Sequence, residues 1–364
     1  MNALEAKRAL LSCPGDTIQE TIDILRMSQV ELAERIGRSK EKLNELINGK
    51  APITKETAGK LELVLNIPAH TWLELERIYQ EEQLAIEQLE FLQKCKDWIN
   101  KFPIAKMKKL ALLPKTINKE ELTESLLRFF RIASPNEWDS IYSENSMAFK
   151  INLTHVTQPE AVSVWLRFGE IQSEKIVLNA FDKKAFRASL SEIQKISFEH
   201  PDDWQQKLQD LCAKCGVALV YTPCITKAPI YGAARWIKNG TVPLIQMTDR
   251  QKQNNAFWFT FYHECCHILL HGKKDIFIEN LREITQDAEK EAEADEFAAK
   301  HLFDQRCIEE ICALDEITPS TIKNFSKKYQ IHPSIIVAQL QRNSRIAYND
   351  VKMLPFRQKI AFDL

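Results

Sequence analysis

The sequence predicts a mainly α-helical protein with a small β-sheet, an α+β architecture, and three observations carry that expectation. Glycine is scarce, with 9 residues in 364, which favours long helices over the tight turns of a barrel or a nucleotide-binding α/β sheet. Apolar residues recur at helical spacing through most of the chain. After Gly216 that period gives way to short apolar runs bounded by Gly, Pro or Asn. VALVYTP (217–223), PIYGAARWI (229–237) and VPLIQM (242–247) read as strands, the last two joined by an Asn239-Gly240 turn. Helical pattern then resumes over 255–271, 286–303, 317–329 and 332–342.

Length and charge narrow the function classes. A chain of 364 residues predicts two or three domains. Its 49 Lys and Arg against 50 Asp and Glu exclude a globally basic nucleic-acid coat, so any DNA contact must come from a local patch. No apolar run reaches the roughly 18 residues of a membrane span, and MNALEAKRALLSCPGD lacks the order of a signal peptide. The 9 scattered cysteines suit reduced thiols. A cytoplasmic protein without membrane contact is expected.

Texture along the chain divides it into 1–78, a domain of short amphipathic helices; 79–200, a helical linker or middle region; 201–350, which holds the strands and a buried helix; and a tail at 351–364. Trp138, Trp165, Phe168 and Trp204 read as packing aromatics.

In the first domain, Thr17–Arg26 forms a helix, and Ser28-Gln29-Val30-Glu31 has the capping-box pattern opening a second. Gly37 makes a turn, and Ser39 caps a third helix, SKEKLNELIN, ended by Gly49. Leu32, Ala33, Ile36, Leu43, Ile47 and Ile53 are the candidate core. Two short helices around a glycine turn make a helix-turn-helix, whose second helix enters the DNA major groove. Ser39, Lys40, Lys42 and Asn44 would then face bases, with Gln29, Lys50 and Lys55 at phosphates. Glu41 and Glu45 on the same helix would repel phosphate and keep a protein-binding module open as the alternative. The stretch SQVELAERIGRSKEKLNELINGKAPITKETAGKLELVLNI resembles the XRE family of phage-repressor-like regulators, on its HigA antitoxin branch. That resemblance implies double-stranded operator DNA as a partner and a homodimer as the binding form.

The second chemical signal is His263-Glu264-Cys265-Cys266-His267, an HExxH sequence within NNAFWFTFYHECCHILLHG. That helix is apolar almost all round and must be buried. Histidines four apart lie on one face, one turn apart, close enough to hold one Zn²⁺. Glu264 is offset around the axis and can take a proton from a water activated by the ion. His271 lies about 12 Å further up a continuous helix than His263 and cannot share the ion, so it reads as an outer, supporting residue. A third ligand is sought on AEKEAEADEFAAKHL (288–302), where Glu291 shares a face with Ala294, Ala298 and Leu302. Glu293, on the flank, is the second choice, and Asp295 is placed to orient a liganding imidazole. Cys266 borders the ligand face and is a candidate redox-sensitive thiol, while Cys265 points to the core. A lone Cys212-Ala-Lys-Cys215 near Cys224 is a weak second metal candidate.

HECCHILLH, EAEADEFAAKHL and the tail IKNFSKKYQIHPSIIVAQLQR resemble the ImmA/IrrE family of metallo-endopeptidases. The resemblance implies a C-terminal gluzincin-like zincin domain with His263, His267 and Glu291 as zinc ligands and Glu264 as general base. It also implies a repressor or antitoxin, this chain itself among them, as the protein substrate. Cys265-Cys266 departs from the family's usual Leu-Gly-like pair, and Phe303-Asp304 from its Met-Pro. The strand 242–247 is expected to pair with an extended peptide. The alternative is a HigA-like regulator whose peptidase-like domain is a non-catalytic sensor or binds a cognate toxin.

Overall fold

Short, individually capped helices open the chain in a computed structural model that describes residues 3–142, 158–272, 277–278, 288–360 and 362. The chain divides into two compact units, Met1–Asp97 with Thr116–Glu124 and Trp98–Lys115 with Ser125–Leu364. The helical region expected over 79–200 is therefore shared between them.

The first unit contains α1 (Ala3–Leu10), α2 (Pro14–Ile24), α3 (Gln29–Arg35), α4 (Lys40–Ile47), α5 (Lys55–Leu65) and α6 (Ala69–Cys95). Proline at its first position and a cap by Cys13 start α2 earlier than expected; Arg26, in a left-handed conformation (φ 54°), follows its end. Gly15 on α2 is required by packing, because a Cβ there would lie 1.9 Å from the Ile47 carbonyl oxygen. The Ser28 hydroxyl accepts from Glu31 N at 3.1 Å and starts α3. Glu31 turns instead to Arg35, 2.7 Å away and one turn on, so only half of the expected capping box forms. Gly37 (φ +65°) separates α3 from α4, and Ser39 caps α4 through Lys42 N at 3.3 Å. Leu32, Ala33, Ile36, Leu43 and Ile53 are buried, together with Trp72 of α6. Ile47 is only half-buried; Leu46, one turn after Leu43, fills the core instead.

Helices α7 (Ile104–Lys109), α8 (Lys119–Phe130) and α9 (Pro135–Tyr142) follow, α8 crossing the division between the units. The second unit continues with α10 (Pro159–Ser173), α11 (Lys183–Glu199), α12 (Trp204–Lys214), strands β1 (Ala218–Tyr221), β2 (Gly232–Ile237) and β3 (Val242–Met247), and α13 (Asn254–Leu270). Strand β4 (Phe277–Ile278) precedes α14 (Ala288–Leu302), α15 (Gln305–Cys312), α16 (Pro319–Tyr329) and α17 (Pro333–Arg342), and a 3-10 turn follows at Val351–Phe356.

The sheet order is β1-β3-β2-β4, with β1 parallel to β3 and the other pairs antiparallel. Lys238, Asn239 and Gly240 all take positive φ in the β2–β3 connection, which the Asn-Gly pair favours. One expectation is overturned here. Strand β3 is hydrogen-bonded on both sides, by β1 and by β2, and has no edge to offer a peptide.

Alternation assigns each strand residue to one of two covered faces. Ala234, Ile245 and Met247 pack with α13, whose Phe257, Trp258, Phe261, Tyr262, Cys265, Ile268 and Leu269 join one core with Ile335, Ile336 and Leu340 of α17. Ala218, Val220 and Leu244 form a separate cluster. On their side Arg235 donates to Leu166 O and Gln246 to Trp165 O, both at 2.6 Å, tying the sheet to α10. Glu170 answers the buried charge, 2.6 Å from Arg167 and 3.6 Å from Arg235. Trp138, Trp165, Phe168 and Trp204 are all buried. Among the described residues no helix is long and apolar enough to cross a membrane.

His332 caps α17, accepting from Ser334 N, and its ring centroid lies 5.7 Å from that of His200. Burial, helped by the His200 charge, pushes His332 down to about 4 from its ordinary 6.5. The unfolded chain therefore takes up this proton first as pH falls, and stability is lost between about 6.5 and 4. The urea midpoint of the second unit should drop across that window, and His332→Asn, which keeps a capping oxygen, should flatten the drop. A midpoint that stays level, or an unchanged slope in the variant, would contradict this.

Candidate metal centre

Every residue of α13 from Phe257 to Leu269 is buried except Phe259, so its polar side chains must find partners within the protein. The partner helix is α14. Ala294, Ala298 and Leu302 are its buried positions, and the small alanines let the two backbones approach. Glu291, in the first turn of α14, thereby reaches the imidazoles of α13.

His263 Nε2 lies 3.0 Å from His267 Nε2. Glu291 completes the triangle, with Oε2 at 3.3 Å from His263 Nε2 and Oε1 at 3.6 Å from His267 Nε2. These three residues are the one His/Cys/Asp/Glu cluster of metal-ligand geometry found among the described residues. Four-coordinate zinc, with bonds of roughly 2.0–2.1 Å, sets ligand atoms about 3.4 Å apart, and the observed spacing matches it. Glu291 Oε1 is buried with no hydrogen-bond partner. Burial, and then the charge of His263, push His267 down to about 2, so its imidazole is neutral and able to ligate at neutral pH. The residues present fit a divalent metal.

Outer groups orient these donors. Asp295 Oδ1 is 3.0 Å from His263 Nδ1, which fixes the tautomer that turns Nε2 to the cluster. His271, in extended conformation at the end of α13, stands behind His267, Nδ1 to Nδ1 at 2.7 Å. Its Nε2 meets Glu293 Oε2 at 3.0 Å, which takes Glu293 away from the cluster. Glu264 is fully buried and lies outside the ligand triangle. It sits beneath Gly232, where a Cβ would come within 2.9 Å of Glu264 Oε1 and 2.5 Å of Thr260 Cγ2. Gly232 and Thr260 thus shape the acid's pocket; only the glycine opening β2 hinted at this in the sequence.

Cys265 is in the core, and burial, then the charge of Glu293, push the neighbouring Cys266 thiol up to about 12, against the thiolate form. Cys212 and Cys215 are core residues, and no metal cluster includes them among the described residues.

In the first unit Ser39, Lys40, Lys42, Asn44, Lys50 and Lys55 are exposed. Ser39 also caps α4, and Asn44 Oδ1 accepts from Asn48 at 2.8 Å. Gln29 is half-buried, its amide donating to Gln19 at 2.6 Å.

Two family models match the chain. One, described as helix-turn-helix, covers residues 23–72. The other, the IrrE N-terminal-like domain of the peptidase M78 family, covers residues 232–330. The uncharacterized HTH-type transcriptional regulator YddM of Escherichia coli K12 is 36% identical over 66 residues, 18% of this chain and 70% of YddM. The chain belongs to the XRE-type helix-turn-helix family and carries an IrrE-like domain. The IrrE-like match begins at Gly232 and takes in both helices of the metal cluster, so the metallopeptidase-like fold and the donor geometry coincide.

Metal-free protein should bind one equivalent of zinc or cobalt. Glu291→Ala should abolish stoichiometric binding, and Asp295→Asn should weaken it by about 10–100-fold through the orientation of His263. Isothermal titration reads both, and undiminished affinity in Glu291→Ala would contradict the ligand set.

Proposed function

We propose that this protein is a DNA-binding regulator of the cytoplasm whose IrrE-like domain is a zinc endopeptidase of gluzincin type, cutting a repressor or antitoxin, this chain included. The observation that carries the reading is the convergence of His263, His267 and Glu291 beside a separate, fully buried Glu264. Zinc, when bound there, supplies a Lewis acid for the peptide carbonyl. Glu264 accepts the proton of the attacking water and returns it to the leaving amine, the two roles of one general base and acid. Gly232 leaves room for that carboxylate, and Asp295 and His271 hold the imidazoles in position. In the first domain Ser39, Lys40, Lys42 and Asn44 face the major groove, with Lys50, Lys55 and the α3 N-terminus at Gln29 on phosphates. A homodimer would place two such helices about 34 Å apart on an operator.

Glu264→Gln should keep its zinc and lose at least about 100-fold in cleavage of a repressor or antitoxin substrate; unchanged proteolysis refutes the mechanism. Lys40→Ala and Lys42→Ala should each weaken operator binding and lower the slope of log K against log salt by about 1. Gel-shift titrations at several salt concentrations measure this, and slopes equal to the parent's would remove these lysines from the interface.

A further inference from the structure

Beside the N-terminal half of α13 lies a cleft of about 900 Å³, walled by α13, α17 and the segment after Tyr348. Its charge is one-sided. Lys252, Arg342, Arg357 and Lys359 line it, and all four are exposed. Among the described residues no Asp or Glu side chain lines it. In a chain with 49 basic and 50 acidic residues, this concentrates positive potential in one concavity, where low-dielectric walls focus it.

The cations are held together by the backbone. Asn254 N donates to Gln358 O at 3.0 Å and Ile360 N to Lys252 O at 3.2 Å, which fastens the tail to the start of α13 and pairs Gln253 with Lys359. Arg357 is steadied by donating to the Tyr348 carbonyl.

The same cleft runs toward the metal centre. Thr260 lines it and shares the Gly232 contact with Glu264, and the Phe259 ring, also lining it, stands 6.5 Å from the His263 ring. The nearest cation on this helix side stands further off: Asn254, the first residue of α13, precedes Glu264 by about 15 Å along the axis, and Lys252 lies just before it. An extended peptide advances about 3.3 Å per residue, so that distance is about five residues.

We infer that this cleft receives acidic side chains of the polypeptide substrate, so that the protein selects segments carrying Asp or Glu about five residues from the bond that is cut. The inference rests on the peptidase reading for the bond and on the cleft alone for the charge. The cleft's approach to the metal centre, whose proposed substrate is a polypeptide, favours polypeptide over nucleic acid as the occupant.

Fluorescence anisotropy with the full-length, zinc-loaded Glu264→Gln protein tests it without requiring turnover. The probes are fluorescein-labelled peptides that differ only in carrying glutamate or glutamine at clustered positions. The glutamate peptide should bind about tenfold tighter, and that preference should vanish in Arg342→Glu with Lys359→Glu, the effect of removing two exposed ion pairs and reversing their charge. Operator binding by the first domain should be unchanged. Equal binding of the two peptides, a preference that survives the double variant, or a double-stranded oligonucleotide displaced from the cleft by these substitutions in place of the peptide would each overturn the inference. Should charge reversal disturb the fold, Arg342→Gln with Lys359→Gln reads the same preference. An intact preference in a protein whose parent never cleaves sinks only the peptidase reading; cleavage without preference sinks only this one.

Discussion

Two imidazole nitrogens 3.0 Å apart on a buried helix face, with a carboxylate closing the triangle, are the constraint on which the second unit is organised. Burial, and then the charge of His263, keep the His267 imidazole neutral, with its Nε2 facing His263 Nε2 at 3.0 Å. A divalent cation satisfies all three donors at once. The requirement explains why α14 carries alanines where it faces α13, since a larger side chain would hold Glu291 out of reach.

The rest of the unit encloses that face. The sheet is covered by α13 on one side and fastened to α10 on the other, and Gly232 brings β2 against Glu264 without a Cβ between them. Arg235 and Gln246, which would read as surface residues on a half-exposed strand, are buried and tie the sheet to α10 through backbone carbonyls. In the proposed mechanism a base enclosed in this way would exchange protons with what is delivered to it rather than with bulk solvent.

What the sequence revealed and what it hid follow from the range of each interaction. Helix limits set by local caps were legible: Ser39 and Gly37 place α4 correctly, and HExxH places two nitrogens on one face by geometry alone. The Ser28 capping box failed because Arg35, one turn on, competes for Glu31. Ile47 and Leu46 were exchanged because both lie near the same apolar boundary and only the packing of neighbouring helices decides between them. Strand β3 was misread as an edge because strand order, set by a parallel crossover to β1, leaves no mark within the strand itself. Glu291 and Glu293 sit two residues apart on one helix, and the difference lies in His271, which captures the second. The basic cleft was invisible for the same reason: its cations come from positions 252, 342, 357 and 359, brought together only by the tail's return to α13.

X-ray absorption at the zinc edge, on full-length protein loaded with one equivalent of zinc, addresses the ligand triangle most directly. The account predicts a first shell of nitrogen and oxygen at about 2.0–2.1 Å with the multiple-scattering signature of two imidazoles and no sulfur. A sulfur shell near 2.3 Å, or a single imidazole, would show that His263, His267 and Glu291 do not hold the ion together, and the catalytic account would fall with them.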